Sequence, residues 1–149
     1  MTILALDIGD RRIGVAISDE KESIPFPLDV IHRTNMEQDC AIIREHCRSH
    51  HARLIVAGLP RSFDGTLKTQ AVKIQKYVDV LKTKVDIPVE YWDEWLTTKQ
   101  SEAVLISADV SRTKRKQVID KMAATLILEG YLSRKQRDRK SAQETESQE

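Results

Sequence analysis

The feature that most constrains the fold of this chain is its first stretch, LALDIGDRRIGVAIS, in which two apolar runs flank a short polar turn. Ile3 to Asp7 and Ile13 to Ser18 have the composition of strands, and the turn Gly9-Asp10-Arg11-Arg12 between them predicts a hairpin. The first strand ends in an acid. Asp7 is therefore expected at the end of a buried strand, where a carboxylate needs a partner or a metal ion to offset its lost hydration.

The order of the following segments predicts an α/β domain. Leu28 to His32 is predicted as a third strand, because Pro25 and Pro27 interrupt regular structure just before it. Thr34-Asn-Met-Glu37 resembles a capping box at the start of a helix. Leu54 to Gly58 is almost wholly apolar, as in a strand covered on both faces. The remaining predicted elements are a helix marked by Leu67, Ala71, Ile74, Val78 and Leu81, a strand at Val89 to Trp92, a helix after the Thr97 and Gln100 capping pair, and a closing helix from Gln117 to Leu132. This order predicts a single domain with a mixed five-stranded sheet flanked by helices.

Length and composition bound the domain. The 149 residues suffice for one sizeable core, and residues 1–132 contain every predicted element. Residues 133–149 hold nine charged side chains and a single apolar one, Ala142, so a disordered tail is predicted. The basic half of this tail is expected to be solvated, with nucleic-acid binding as the alternative, and consists of Arg134, Lys135, Arg137, Arg139 and Lys140.

Hydropathy argues for a cytoplasmic protein without a membrane partner. No stretch of about 18 apolar residues occurs, and the first residues lack the pattern of a secretory leader. Cys40 and Cys47 lie seven residues apart in a helical pattern with Met36 and Ile43, which predicts one buried helix stripe.

Three acids are expected to meet at one edge of the sheet. In α/β sheets, ligands bind beyond the carboxyl ends of parallel strands. Asp7 ends the first strand and Asp93-Glu94 ends the last, while Asp120 lies on the closing helix beside Ala123 and Ala124, which are small enough to let the helix approach the sheet. Such acids would repel one another unless a divalent cation neutralised them, and oxygen ligands are those that Mg²⁺ prefers.

Two of these acids also have a structural interpretation. Asp7 could cap the hairpin turn or pair with Arg11, and Asp120 could be a first-turn acid favoured by the helix dipole. Two cations about 4 Å apart would activate a water and stabilise the leaving oxygen of a phosphodiester, but the spacing of the acids is equally compatible with one cation.

Basic residues flank these acids. In GLPRSFDGT, two glycines permit close backbone approach, Thr66 is placed to cap the next helix, and Arg61 would add a charged hydrogen bond to a substrate phosphate. A run directly before the Asp120 helix is interpreted as a flexible segment that holds the phosphate backbone, and comprises Arg112, Lys114, Arg115 and Lys116. Arg11 and Arg12 of the hairpin turn are further candidates for substrate contact. For GLPRSFDGT the alternative is an ordinary strand-to-helix connection. For the basic run before Asp120 the alternative is a solvated run of charges.

Four blocks of the sequence, LALDIGDRRIGVAISD, IVAGLPRSFDGT, DEWLTT and VIDKMAATLILEGYL, resemble in order and spacing the motifs of the YqgF/RuvX-type family of Holliday junction resolvases. The match covers about Ile3 to Leu132. The resemblance implies an RNase H-like fold and a nuclease that depends on one or two Mg²⁺ or Mn²⁺ ions, with Asp7, Glu94 and Asp120 as the catalytic and metal-binding acids. It also implies maturation of the 5′ end of 16S ribosomal RNA from its precursor, with resolution of branched DNA as the alternative.

One position departs from the family pattern, which has Asp-Glu-Arg before Leu-Thr-Thr where this chain has Trp95 after Glu94. A tryptophan can stack on an unpaired base or pack against the sheet edge. If Trp95 records a lost activity, the chain is a non-catalytic RNA-binding module on the same fold, although retention of all three acids argues against this. Nucleic acid is the predicted partner, and the protein is expected to be a monomer or a weak homodimer.

A nucleotide-binding protein of the actin and sugar-kinase group is the rival from another class, because an Asp-x-Gly sequence at a strand end also forms a phosphate turn there. That architecture needs two such domains with the nucleotide between them. A chain of 149 residues is too short for both.

Overall fold

A computed structural model describes residues 1–60, 68–94 and 112–147 of the chain, without the side chains of residues 68, 94, 112–120 and 141–147. The elements in chain order are β1 (Thr2–Ile8), β2 (Arg12–Ser18), β3 (Pro25–His32), α1 (Met36–Ser49), β4 (Ala52–Pro60), α2 (Lys68–Lys84), β5 (Val89–Glu94) and α3 (Arg112–Ser147). The strands and helices predicted within these ranges are confirmed. The helix predicted after Thr97 lies outside the described residues, as does Thr66.

The strands form one mixed sheet in the order β3-β2-β1-β4-β5, which confirms the predicted five-stranded α/β architecture. β1 pairs antiparallel with β2, and β2 with β3, as the hairpin motif requires. β1 pairs parallel with β4, and β4 pairs parallel with β5. The three parallel strands therefore end at the same side of the sheet, which we call the carboxyl edge.

Helices α1 and α2 cover one face of the sheet. Alternate side chains of β1, including Leu4 and Leu6, point into this layer. The helices contribute Cys40, Ile43, Ile74, Tyr77, Val78 and Leu81, all of them buried. Cys47 packs against the same core, so both cysteines lie on one stripe of α1 as predicted, and both are free thiols.

Helix α3 covers the opposite face, which we call the α3 face. Its core consists of Ile3, Ala5, Ala16, Leu54, Val56, Ala124, Ile127, Leu128 and Leu132. Ala123 and Ala124 are fully buried at 0% exposure, which agrees with their predicted role of letting the helix lie close to the sheet. In the part of the chain that the structure describes, no helix is long and apolar enough to cross a lipid bilayer.

Two local predictions need correction. Pro25 and Pro27 lie within β3 rather than before it, because β3 is an edge strand and a missing N–H group there costs no ladder bond. Helix α1 is capped by Asn35 rather than by Thr34, since the Asn35 side chain accepts a hydrogen bond of 2.9 Å from the N–H of Gln38. Asparagine is the stronger N-cap residue of the two.

The chain after Leu132 also differs from the prediction. A disordered tail is expected from the composition of residues 133–149, but α3 continues without a break to Ser147. Lysine, arginine, glutamine and glutamate all favour helix, so a helix that is already anchored by Leu132 can propagate through such a segment. A contact with the sheet also holds it, because Lys135 Nζ lies 3.1 Å from Glu22 Oε1. The end of the domain at residue 132 stays a prediction.

Glu22 is the centre of an ion cluster that ties α3 to the sheet. Its side chain is 10% exposed and accepts hydrogen bonds from Arg53 Nε at 2.6 and 3.0 Å as well as from Lys135. Its backbone has φ 58°, a left-handed conformation that is uncommon outside glycine. Burial raises the pKa of Glu22, but the hydrogen bonds from Arg53 and Lys135 outweigh burial and hold that pKa below its ordinary value.

This cluster predicts a pH-dependent stability difference for Glu22→Gln. A lowered folded-state pKa means that the stabilisation is complete above the ordinary value of 4.5 and is lost as the pH falls through the folded-state value. We expect the variant to be less stable by about 1–2 kcal/mol at pH 7, with the difference shrinking once the pH falls below 4.5 and on through the lowered folded-state pKa. Urea unfolding of both proteins between pH 7 and pH 3 measures this. A constant difference across that range would contradict the assignment.

Candidate active site

The carboxyl edge carries the first candidate acid, Asp7, near the end of β1. Its side chain is half-buried. Leu6 of β1 pairs with Ala57 of β4. The next residues, Asp7 and Gly58, are therefore in line, and Gly58 pairs with Trp92 of β5. The register thus aligns Asp7 across the three parallel strands with a glycine and a tryptophan.

Strand alternation places Asp7 on the α3 face. Ile3 and Ala5 belong to the core beneath α3, and Asp7 continues their alternation along β1. On β5, Trp92 packs against the same core. The backbone position of Glu94, two residues further on, shares the parity of Trp92. Two of the three candidate acids therefore occupy positions on one face and at one edge.

The third candidate, Asp120, belongs to the helix that crosses this face. Ala124 and Ile127 are 0% and 1% exposed beneath α3, and Asp120 lies one turn before Ala124 on the same stripe. The side chains of Glu94 and Asp120 lie outside the described ones. Among the described side chains, which do not include those of Glu94 and Asp120, no group of three or more His, Cys, Asp or Glu could hold a metal ion.

The turn after Asp7 is held in a single shape by hydrogen bonds. The N–H of Gly9 donates to the carbonyl oxygen of Arg12 at 2.8 Å. A Cβ atom on residue 9 would lie 2.8 Å from that same oxygen, which explains why glycine occupies this position. Arg33 fixes the turn from outside, because its Nη1 donates to the Gly9 carbonyl at 2.6 Å and its N–H donates to the Arg11 carbonyl at 2.9 Å.

Arg33 is itself held by a buried acid. Asp39 is 2% exposed, and its Oδ2 lies 3.9 Å from Arg33 Nε and accepts a hydrogen bond of 3.2 Å from the Tyr77 hydroxyl. The Arg33 guanidinium also stacks over the Tyr77 ring at 4.6 Å. Burial, followed by the nearby charge of Asp39, raises the pKa of Tyr77. We call Arg33, Asp39 and Tyr77 the supporting triad of the turn.

Our sequence interpretation did not identify the supporting triad. One signal was available, since an acid at position 39 lies beside the apolar stripe of Met36, Cys40 and Ile43. A buried acid normally has a hydrogen-bond partner, so an acid beside this stripe is a candidate for such a contact. The identity of that partner depends on the packing of α1 against α2 and could not be read from spacing.

The predicted substrate contacts fall partly within the described residues. In the turn after Asp7, Arg11 is exposed and Arg12 is half-buried. Arg61 and Trp95 lie outside the described residues, so their predicted roles stay predictions.

The basic run before Asp120 needs correction in its secondary structure. The sequence predicts a flexible segment, but these residues lie inside the first turns of α3, namely Arg112, Lys114, Arg115 and Lys116. There is no acid in the first turn of α3, although acids are what the helix dipole favours at this end. Cations at this end disfavour the isolated helix, so the helix dipole does not account for the basic run.

The chain has the RNase H-like fold: a central strand with an acid near its end, parallel neighbours that end at the same edge, and a helix across that face. Solved structures share this fold. Thermus thermophilus RuvC in complex with a Holliday junction substrate matches with a TM-score of 0.53 at 14% identity, over 90% of this chain and 96% of that chain. The fowlpox virus Holliday junction resolvase matches with a TM-score of 0.50 at 16% identity, over 89% and 99%.

Sequence comparison then identifies the family. The model of RuvX, Holliday junction resolvase, matches residues 1–134, and the chain belongs to this family. A relative from Desulforudis audaxviator named "Putative pre-16S rRNA nuclease" is 43% identical over 145 residues, which is 97% of this chain and 100% of the relative. A relative of the same name from Halothermothrix orenii is 47% identical over 133 residues, 89% of this chain and 95% of the relative. The family predicted from four sequence blocks is thereby confirmed.

Proposed function

We propose that this protein is a divalent-cation-dependent nuclease that hydrolyses phosphodiester bonds in the precursor of 16S ribosomal RNA and so matures its 5′ end. The observation that supports this most is the placement of Asp7 and the Glu94 position at one edge and on one face of the sheet, beneath the helix that carries Asp120. The RNA substrate is proposed because relatives that match along their whole length carry that name.

The donor set fits a hard divalent cation. Three carboxylates without a histidine or cysteine offer oxygen ligands only, and Mg²⁺ and Mn²⁺ both accept such ligands. In the proposal, Asp7, Glu94 and Asp120 hold one or two of these ions. A bound cation of this kind supplies a lowered pKa for a coordinated water and charge stabilisation for the phosphate in the transition state.

The chain itself supplies position and charge. Asp7 is half-buried near the end of β1. Hydrogen bonds fix the turn that follows β1 and so restrict the position of the Asp7 carboxylate. In the hydrolysis, a water oxygen forms a bond to phosphorus and gives up a proton to the solvent, while the bond to the leaving oxygen breaks and that oxygen takes up a proton from the solvent. Among the described residues, no side chain is assigned as a general base at this edge.

Basic residues around the edge would hold the substrate backbone. We propose phosphate contacts for Arg11 and Arg12 in the turn, for Arg61, and for the basic run of α3, which contains Arg112, Lys114, Arg115 and Lys116. Trp95, where the family pattern has arginine, is proposed to stack on an unpaired base.

Resolution of branched DNA is the second candidate function. The family model carries the description of a Holliday junction resolvase, and the fold matches resolvase structures. Paired cuts across a two-fold junction need two active sites, whereas trimming of an RNA end needs one. A protein that is a monomer or a weak homodimer, as predicted, suits the RNA substrate better. A third possibility, a non-catalytic RNA-binding module, does not explain why three mutually repelling acids are kept.

The experiment that tests the proposal compares two labelled substrates, a precursor 16S RNA fragment that contains the 5′ processing site and a four-way DNA junction. Each is incubated with Mg²⁺, with Mn²⁺ and with EDTA. We expect RNA cleavage with either metal and none with EDTA. Paired nicks in the junction without RNA cleavage would replace the proposal by the resolvase function, and RNA binding without cleavage of either substrate would leave the binding module.

A further inference from the structure

A groove beside the proposed active site combines aromatic rings with arginines. Two adjoining hollows of about 280 and 350 Å³ lie between β5 and the part of α3 that was expected to be a disordered tail. They share Trp92, Arg134 and Asp138, and Tyr91, Tyr131, Lys135 and Arg137 complete their walls. We call this the Trp92 groove.

The aromatic wall of the groove is fixed in position. Trp92 is half-buried, and a Cβ atom on Gly130 of α3 would lie 2.9 Å from its Nε1, so the indole rests directly on the helix backbone. Tyr131 meets the indole edge-on, with ring centroids 6.2 Å apart. The Tyr131 hydroxyl donates to Glu90 at 3.1 Å. A ring that is already immobilised loses little conformational freedom when a ligand stacks on it.

The charge of the groove favours a polyanion. Arg134 and Arg137 are exposed, and among the described residues neither has an ion-pair partner. Lys135 is already paired with Glu22. Asp138 contributes one negative charge, so the two arginines leave the wall with a net positive charge. Exposed arginines beside a fixed aromatic ring are the combination with which proteins bind single-stranded nucleic acid, since the ring stacks on a base and the arginines meet phosphates.

Trp92 brings one end of the groove close to the proposed active site. Trp92 lies two residues before Glu94 on the same strand and the same face, which corresponds to about 7 Å along β5. It is also in register with Gly58, the neighbour of Asp7 across the sheet. A strand bound at the carboxyl edge would therefore need only one or two further nucleotides to reach the indole.

We propose that the Trp92 groove is a second binding site for the substrate, which holds a single-stranded stretch of nucleic acid next to the scissile phosphate, with one base stacked on Trp92 and phosphates on Arg134 and Arg137. This inference rests on the proposed nuclease function and gives it a substrate class. A duplex cannot place an unstacked base on the indole, so the groove selects for unpaired ends and loops.

The test measures binding of a short single-stranded RNA by the full-length Asp7→Asn protein, which removes cleavage from the readout. The groove variant is Arg134→Gln with Arg137→Gln. Its matched control is Arg139→Gln with Lys140→Gln, which removes the same charge from exposed positions of the same helix that do not line the groove. We expect the groove variant to weaken binding about tenfold and to lower the slope of log Kd against log salt concentration by about 1.4, which corresponds to two lost phosphate contacts, with the control close to the parent protein.

Stacking is tested by fluorescence. The chain has two tryptophans, so Trp95→Phe leaves Trp92 as the only emitter while keeping an aromatic ring at position 95. Single-stranded RNA should quench Trp92, whereas an abasic strand of the same length and a blunt duplex should not.

Three results would overturn the inference. Equal weakening in the groove variant and its control would mean that only overall charge matters. Quenching by the abasic strand would mean that no base stacks on Trp92. A concentration-dependent dimer that the groove variant disrupts, with RNA affinity unchanged, would make the groove a contact between two copies of the chain. If the wild-type protein still cleaves RNA, each of these results overturns the groove proposal and leaves the proposed nuclease function intact. If RNA binds in the groove and is never cut, the nuclease function is overturned and the groove proposal stands.

Discussion

Asp7→Asn is expected to abolish RNA cleavage and to leave RNA binding in the absence of divalent cation unchanged. The substitution keeps the shape of the side chain and removes the charge that the proposed cation site needs. A loss of about a thousandfold or more in the cleavage rate corresponds to about 4 kcal/mol of transition-state stabilisation, within the range of metal-assisted phosphoryl chemistry. The rate is measured in single turnover with excess protein, so that weaker binding cannot imitate a slower chemical step.

The matched control for this experiment is Asp10→Asn. Asp10 lies in the same turn, undergoes the same chemical change, and has a side chain that is 63% exposed and 3.6 Å from Lys73. An exposed ion pair of this kind contributes little, so cleavage should stay within about twofold of the wild type. If both variants cleave at the wild-type rate, Asp7 is not a catalytic acid. If both lose activity together, the turn rather than the Asp7 charge is responsible.

Asp39→Ala is expected to cause the largest loss of stability among single substitutions near the site. The change leaves the Tyr77 hydroxyl, the N–H of Thr34 and one side of the Arg33 guanidinium without their acceptor. Unsatisfied buried groups cost about 1–3 kcal/mol each, but Arg33 is 29% exposed and can turn partly to water. We therefore expect a decrease of about 3 kcal/mol in the free energy of unfolding, measured by urea denaturation at pH 7.

Two further variants distinguish the loss of Asp39 as a hydrogen-bond acceptor from the loss of an acid in the first turn of α1. Glu37→Ala removes an exposed acid from the same first turn of α1 and should cost less than about 1 kcal/mol, because only its interaction with the helix dipole is lost. Tyr77→Phe combined with Asp39→Ala should be less damaging than the sum of the two single changes, since both remove one hydrogen bond. Strict additivity would show that the supporting triad does not act as a unit.

Most of the fold could be predicted from local pattern. The hairpin of β1 and β2 follows from two apolar runs around a glycine turn, and the parallel partner β4 from a run that is apolar on both faces. The extent of β3 and of α3 could not be predicted in this way. Whether Pro25 and Pro27 join a strand depends on that strand being at the edge of the sheet. The charged composition of residues 133–149 predicts disorder, whereas residues 133–147 continue the packed helix α3, whose contact between Lys135 and Glu22 spans 113 residues of sequence.

The candidate site could likewise be predicted only in part from the sequence. Asp7 and the Glu94 position could be placed at one edge because strand ends are visible in the sequence and parallel strands share a direction. The supporting triad joins the β3 to α1 connection to α2, and no local pattern reports such a contact. The Trp92 groove was equally invisible, because it forms only where Gly130 of α3 passes over β5.

The packing of α3 on β1 determines when, during synthesis, the proposed catalytic acids can come together. Ile3 and Ala5 belong to β1, yet the residues that cover them, Ala124 and Leu128, belong to α3, which follows β1 in the chain by more than a hundred residues. The α3 face of the sheet therefore stays open to solvent until α3 has been synthesised. Asp120 arrives with that same helix. The packing of α3 that buries this face thus also completes the proposed catalytic set, so a chain that stops before α3 lacks one of the acids proposed to cut RNA.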